Sequence, residues 1–186
     1  DVTEQLTEGS NAIGMHVGDG WYLCPQSLPN MKKMDYAHAI LFQLEITYPD
    51  GSMDMIISDE DVKCSNGSVL SADLYAGEYY DANKQIKNWN CADFMDSGWT
   101  SCMEANYGYE NLVSQIGEPV VIVKELPVSR LTKSPKGEWI LDFGQNIAGY
   151  VKLSVKGEKG AKCRMVCGEK LDTNGNFTVE NIAWKA

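Results

Sequence analysis

From Ile40 to Tyr48 apolar and polar side chains alternate, with Ile40, Phe42, Leu44, Ile46 and Tyr48 on one face and Gln43, Glu45 and Thr47 on the other. A period of two is that of a β-strand, whose successive side chains point to opposite faces. Pro49-Asp50-Gly51-Ser52 then turns the chain, and Met53, Met55 and Ile57 resume the period. The pattern predicts a β-hairpin with one buried face. Further along, Val120–Glu125 is a β-branched run, Trp139, Leu141 and Phe143 alternate, and so do Val151, Leu153 and Val155. Lys156-Gly157-Glu158-Lys159-Gly160 reads as a turn into one more strand, Ala161–Cys167.

Helical signals are confined to single turns at Val2–Leu6 and Tyr109–Ser114. Strands spaced by Gly, Pro, Asn and Asp turns predict an all-β fold, a jelly-roll-like β-sandwich followed by the start of a second β-sandwich unit. Leu126-Pro127 and Thr132-Lys133-Ser134-Pro135-Lys136-Gly137 interrupt the strand pattern with turn-forming and charged residues. We therefore expect one domain over residues 1–128, truncated at its start, and the beginning of a second over 129–186. The second has too few strands to close a sandwich by itself.

Composition narrows the class. A hydrophobic share of 44% with nine Tyr, five Trp and four Phe is enough for a core. The 26 acidic residues against 16 basic ones give a formal charge of −10, which argues against nucleic acid or an anionic membrane as partner, since both select positive surfaces. No apolar run approaches the ~20 residues of a membrane span. Cys163 and Cys167, four apart on an expected strand, would have Cα atoms roughly 13 Å apart, beyond disulfide reach. With no Cys-x-x-Cys pair for zinc, the six cysteines read as small buried apolar residues in a reducing compartment. That tilts localisation toward the cytoplasm and leaves secretion or the periplasm open. The chain opens at Asp1 without an initiator Met, so a missing targeting segment says nothing about location.

Three phrases carry a resemblance. The first is Asp1-Val2-Thr3, with Leu6, Gly9, Asn11, Ile13 and Gly14 leading into Gly18-Asp19-Gly20-Trp21-Tyr22. The second is Tyr75-Ala76-Gly77-Glu78-Tyr79-Tyr80-Asp81-Ala82, then Trp89 and Phe94-Met95-Asp96-Ser97-Gly98-Trp99. The third is Asp142-Phe143-Gly144-Gln145-Asn146-Ile147-Ala148-Gly149-Tyr150, with Gly168-Glu169 and Leu171 downstream. In this order, over nearly the whole chain, they resemble the amino-terminal region of bacterial α-L-rhamnosidases. Two positions depart from the family pattern, Val62 where a tryptophan is usual and Asn83 where a basic residue is frequent. The resemblance implies two β-sandwich modules ahead of an α/α-toroid catalytic domain that hydrolyses terminal L-rhamnose with inversion, using an acidic acid/base pair. Helical periodicity of that length is absent here, so the expectation is a non-catalytic carbohydrate-binding or substrate-orienting region. Its partners would be an L-rhamnose-containing glycan and the carboxy-terminal catalytic domain. The alternative is a structural sandwich that braces that domain without a ligand of its own.

A sugar site needs flat apolar surface for C–H faces and acceptors for hydroxyl pairs. Gly77–Asn83 offers both: strand alternation would place Tyr79, Asp81 and Asn83 on one face and Glu78 and Tyr80 on the other. Some relatives of the first sandwich bind rhamnose with calcium, and Asp81 and Asn83 would be the oxygen donors for such an ion. The other reading of the segment is a polar strand end that fixes a loop. Trp99, after the Asp96-Ser97-Gly98 turn, could stack on a sugar, although tryptophans there more often plug the end of a sandwich. Trp21 and Tyr22 read as a core plug or corner with Asp19 bonding turn amides, and Trp89 as an exposed loop residue. Asp142–Gly149 reads as a strand end held by Gln145 and Asn146, and Asp172-Thr173-Asn174-Gly175-Asn176 as a hairpin turn rather than a calcium loop. Neither His16 nor His38 has a Ser or Cys partner arrangement suggestive of catalysis.

Overall fold

The computed structural model describes residues 1–20, 23, 37–73 and 77–181. Trp21, Tyr22, Tyr75 and Ala76, singled out above, and Cys24, one of the six cysteines, lie outside the described residues. The chain divides into two compact units, Asp1–Leu112 and Val113–Ala186. Both are built of antiparallel strand pairs, and the helical content of the described residues is two 3-10 turns, Thr3–Gln5 and Ala82–Lys84. The all-β class therefore holds.

In the first unit, β1 (Gln43–Thr47) pairs with β2 (Met53–Ile57), β3 (Lys63–Cys64) with β6 (Thr100–Ser101), and β4 (Val69–Asp73) with β5 (Gly77–Tyr80). The β1–β2 turn forms because Gly51 takes φ +85°, a left-handed conformation that glycine adopts freely. Asp50 Oδ1 accepts from the Ser52 N–H and Oγ–H, at 2.9 and 2.7 Å. Ile40, Phe42, Leu44 and Ile46 are half-buried at a period of two, as expected. The partner strand is the surprise. Leu44 faces Ile56 and Glu45 faces Met55, so Met53, Met55 and Ile57 lie on the polar face of β1, each at least half exposed. The turn length sets Thr47 opposite Met53, and that parity overrides the expectation of one buried face. Leu6, Ile13, Phe42, Leu44, Ile46 and Ile56, with Asn11, line an apolar groove of about 420 Å³. Among the described residues no large side chain is fully buried.

In the second unit, β7 (Arg130–Lys133) pairs with β8 (Trp139–Asp142), and β9 (Lys170–Leu171) with β10 (Phe177–Thr178). β7 occupies part of the stretch that reads as a strand interruption. In β8 the register pairs Trp139 with Lys133 and Leu141 with Leu131. Trp139 and Leu141 are thus on the outer face, and the Lys133 ammonium lies 5.4 Å from the Trp139 ring centre. Val120–Glu125, Val151–Val155 and Ala161–Cys167 make no ladder. A strand needs a partner as well as a period, and Val120–Val123 stay exposed. The turn expected between the latter two segments is present, with the Ala161 N–H donating to the Glu158 carbonyl at 3.0 Å.

The two buried residues in the described chain, Ser134 and Asn176, are both polar. The Asn176 Oδ1 accepts from the Lys136 N–H at 3.1 Å, tying the β9–β10 turn to the β7–β8 turn. Asp172 Oδ1 accepts the N–H groups of Asn174 and Asn176, at 2.9 and 2.8 Å. These bonds, led by the Asn176 N–H, hold its carboxyl below the usual range. The hairpin-turn reading of this loop stands. At the end of β8, Asp142 Oδ1 accepts from the Gly144 N–H at 2.8 Å, so Asp142 rather than Gln145 or Asn146 holds that turn.

The described cysteines depart from the buried reading: Cys64, Cys91, Cys163 and Cys167 are exposed and Cys102 is half-buried. A small apolar side chain fits a strand edge as well as a core, so composition does not distinguish the two.

Candidate functional site

β5 delivers Glu78, Tyr79 and Tyr80 to the start of a tight turn. Opposite it, β4 carries a register shift between Val69 and Ser71, one extra residue on the β4 side. Such bulges bend a strand and re-aim its neighbours. Tyr79 is 61% exposed and Tyr80 49%, and successive strand residues put them on opposite faces. Glu78 and Asn83 are exposed and Asp81 is half-buried.

The strand stops at Tyr80, so alternation does not carry through to Asn83. The Asp81 N–H donates to the Ser68 carbonyl at 2.8 Å, and the residue then caps the turn Ala82–Lys84. Its Oδ1 accepts from the Asn83 N–H at 3.0 Å and the Asn83 Nδ2 at 2.8 Å. Capping by a short acidic side chain satisfies amides that a helical turn leaves without partners. The Asn83 side chain, then its N–H, then Lys84 favour the carboxylate and lower its pKa from the ordinary value. Asp81 and Asn83 are therefore brought together, by a turn rather than by a strand face. What results is an anionic acceptor with neighbouring amide groups, preceded by two exposed phenol rings.

Trp99 lies outside that ladder. It precedes β6, its N–H donates to the Asp96 carbonyl at 2.9 Å, and its ring meets Phe94 edge-on with centroids 5.5 Å apart. Asp96 is also paired with Lys63 at 2.8 Å. Half-buried in this cluster, Trp99 fits the plug reading. Trp89 departs from the exposed-loop reading: it is half-buried against Gly14. A Cβ at Gly14 would lie 2.9 Å from its Cη2 and 3.1 Å from its Cε3, and closer still to Cζ3. Only a residue without a side chain fits under that ring.

Sequence reasoning missed one constellation. His38 Nε2 lies 3.0 Å from Asp19 Oδ1, and Asp19 Oδ2 receives the Ala72 N–H of β4 at 3.5 Å. Nineteen residues separate the pair, and neither has a spacing that announces the other.

Calcium takes about six to eight oxygen ligands. Asp81 and Asn83 supply a carboxylate and one amide oxygen, and one carboxylate oxygen already accepts two N–H bonds. Among the described residues no group of three or more His, Cys, Asp or Glu side chains is placed to hold a metal ion. This pair does not form a calcium cage by itself.

The chain as a whole has known counterparts. The family model described as the alpha-L-rhamnosidase N-terminal domain matches residues 1–124, and that of the bacterial alpha-L-rhamnosidase concanavalin-like domain matches residues 132–186. The chain belongs to the α-L-rhamnosidase family. Alpha-L-rhamnosidases of Streptomyces avermitilis and Formosa agariphila are 36% and 34% identical over 98% and 94% of this chain. It spans only 18% and 19% of their length. The crystal structure of the Streptomyces avermitilis α-L-rhamnosidase complexed with L-rhamnose is 40% identical, with TM-score 0.53 over 57% of this chain and 10% of its own. The Aspergillus terreus enzyme gives 37%, 0.55, 57% and 12%.

Proposed function

We propose that this α-L-rhamnosidase-family chain is a non-catalytic region that engages L-rhamnose-bearing glycosides for the catalytic domain of a longer rhamnosidase, with the β5 turn as its contact. The observation that carries the reading is the turn itself. Exposed Tyr79 and Tyr80 lead into an ionised, partly accessible Asp81 beside the Asn83 amide, which pairs the C–H stacking surface and the hydroxyl acceptors a deoxysugar needs. Glu78 adds a second carboxylate at the strand end, and Trp99 serves its own aromatic cluster. The similarity to a rhamnosidase crystallised with L-rhamnose supports the sugar class.

One observation favours the second reading, a ligand-free brace: Asp81 Oδ1 is already committed to capping. Titration calorimetry with L-rhamnose, first with calcium and then with chelator, separates the two. Binding that is lost in Tyr79→Ala, an exposed strand position outside the capping bonds, supports the site. Absence of heat under both conditions sinks it. Turnover of an aryl rhamnoside by this chain would overturn the non-catalytic part.

A further inference from the structure

Cys64 stands opposite Thr100 in the β3–β6 ladder. One step on, the Cys102 N–H donates to the Val62 carbonyl at 2.8 Å, so Val62 and Cys102 extend the same register. Val62, Cys64, Thr100 and Cys102 then share one face, and the two cysteines are diagonal neighbours on it. Diagonal Cα atoms lie about 7–8 Å apart, with Cβ atoms closer, whereas a disulfide wants roughly 4.4–6.8 Å. The strands here are only two residues long and Cys102 lies one residue past β6, so a shift of about 1 Å closes that difference without dismantling a sheet.

We propose that Cys64 and Cys102 are a reversible dithiol–disulfide pair that closes the segment between them in response to a low-molecular-weight disulfide. Glu78, Tyr79, Asp81, Asn83 and Trp99 all lie inside that segment, so the bond would tie together the two ends of the stretch that carries the candidate site. Cys64 is exposed and Cys102 half-buried, which gives the steps an order. The Cys64 thiolate attacks one sulfur of the small disulfide and expels a small thiolate. Cys102 then loses its proton and attacks the Cys64 sulfur of the mixed disulfide, expelling the second. Two electrons pass from the protein thiols to the small disulfide, and the two protons end on the released thiols. Burial first, and the Cys64 thiol second, raise the pKa of Cys102 above its ordinary value. The second step therefore accelerates as pH rises.

The test is to incubate the full chain with glutathione disulfide under native conditions, block free thiols by alkylation, and map the peptides by mass spectrometry. The expected result is a peptide linked through Cys64 and Cys102, reversed by dithiothreitol, with no lasting glutathione adduct on either residue. In Cys102→Ser the adduct should persist on Cys64. A lasting adduct on Cys64 of the unaltered chain would overturn the proposal. So would linkage of Cys64 to Cys91, Cys163 or Cys167 as often as to Cys102. The map of the unaltered chain decides the matter even if the variant fails to fold, and it makes no use of sugar binding, so its outcome is independent of the proposed rhamnose site.

Discussion

Replacing Asn176 by alanine should destabilise the second unit by about 2 kcal/mol, an unusual cost for one polar side chain in a turn. Asn176 is 5% exposed. Its backbone bonds to Asp172, 2.8 Å from its N–H and 2.7 Å to its carbonyl, survive the substitution. What goes is Oδ1, the acceptor for the partly buried Lys136 N–H, and the Nδ2 contacts with Asp172 at 3.2 and 3.4 Å. An N–H stranded without a partner costs ~1–3 kcal/mol. The longer contacts to Asp172 add little, because that carboxylate can turn to water. Urea unfolding followed by circular dichroism reads the difference as a lower midpoint at unchanged slope. Asn174→Ala is the control: Asn174 is exposed and uses its backbone N–H toward Asp172, so its loss should stay within about 0.5 kcal/mol. Asn176→Asp keeps an acceptor for Lys136 but sets a second carboxylate against Asp172, and should recover stability on mild acidification. Equal stability of the Asn176→Ala and Asn174→Ala chains would refute the idea that one amide joins the two turns.

Three further outcomes follow from named contacts. Gly14→Val should cost about 1–3 kcal/mol in the same assay by forcing the Trp89 ring away, and Trp89→Leu in the same chain should return part of it. The carboxyls of Asp50, Asp81 and Asp172 are held below their ordinary range, the first mainly by the Ser52 hydroxyl. Their contribution is complete above the unfolded value near ~3.9 and is lost as pH falls through the lowered folded value. Unfolding midpoints measured from neutral pH downward should drop steeply only below that point, and less so in Asp172→Asn. Removing the Lys63–Asp96 pair, whose side chains are 36% and 48% exposed, should change stability by no more than ~1 kcal/mol, which a Lys63→Met unfolding curve at low and high salt checks.

The sequence was legible where structure is made within a few residues. The alternation of Ile40 to Ile46, the turns at Asp50 and Asp172 and the first 3-10 turn were all readable, because their bonds join positions at most a few residues apart. Register was not. Whether Met55 shares a face with Leu44 depends on the parity of a turn, and periodicity in two strands separately carries no record of it. Contacts over long separations were equally silent, as with Trp89 on Gly14, His38 on Asp19, and Asn176 reaching Lys136 across forty residues.

The candidate site fell between these cases, and one pattern shows why. At Asp1, Asp50, Asp59, Asp81, Asp142 and Asp172 a carboxylate oxygen accepts the N–H two residues on, at 2.8 to 3.0 Å. Much of the acidic surplus is thus turn chemistry repeated beside strand ends, and an aspartate in that setting is no evidence of a ligand by itself. Asp81 differs from the rest in its surroundings, with two exposed tyrosines before it and a bulge across the ladder. The substitution that separates shared role from special one is Asp81→Asn. An asparagine oxygen still accepts the Asn83 N–H, so the turn should persist and unfolding should change little, while the anion a sugar hydroxyl would find is gone. Weakened rhamnose binding in a chain of unaltered stability would then belong to the ligand, and unchanged binding would return Asp81 to the company of the other five.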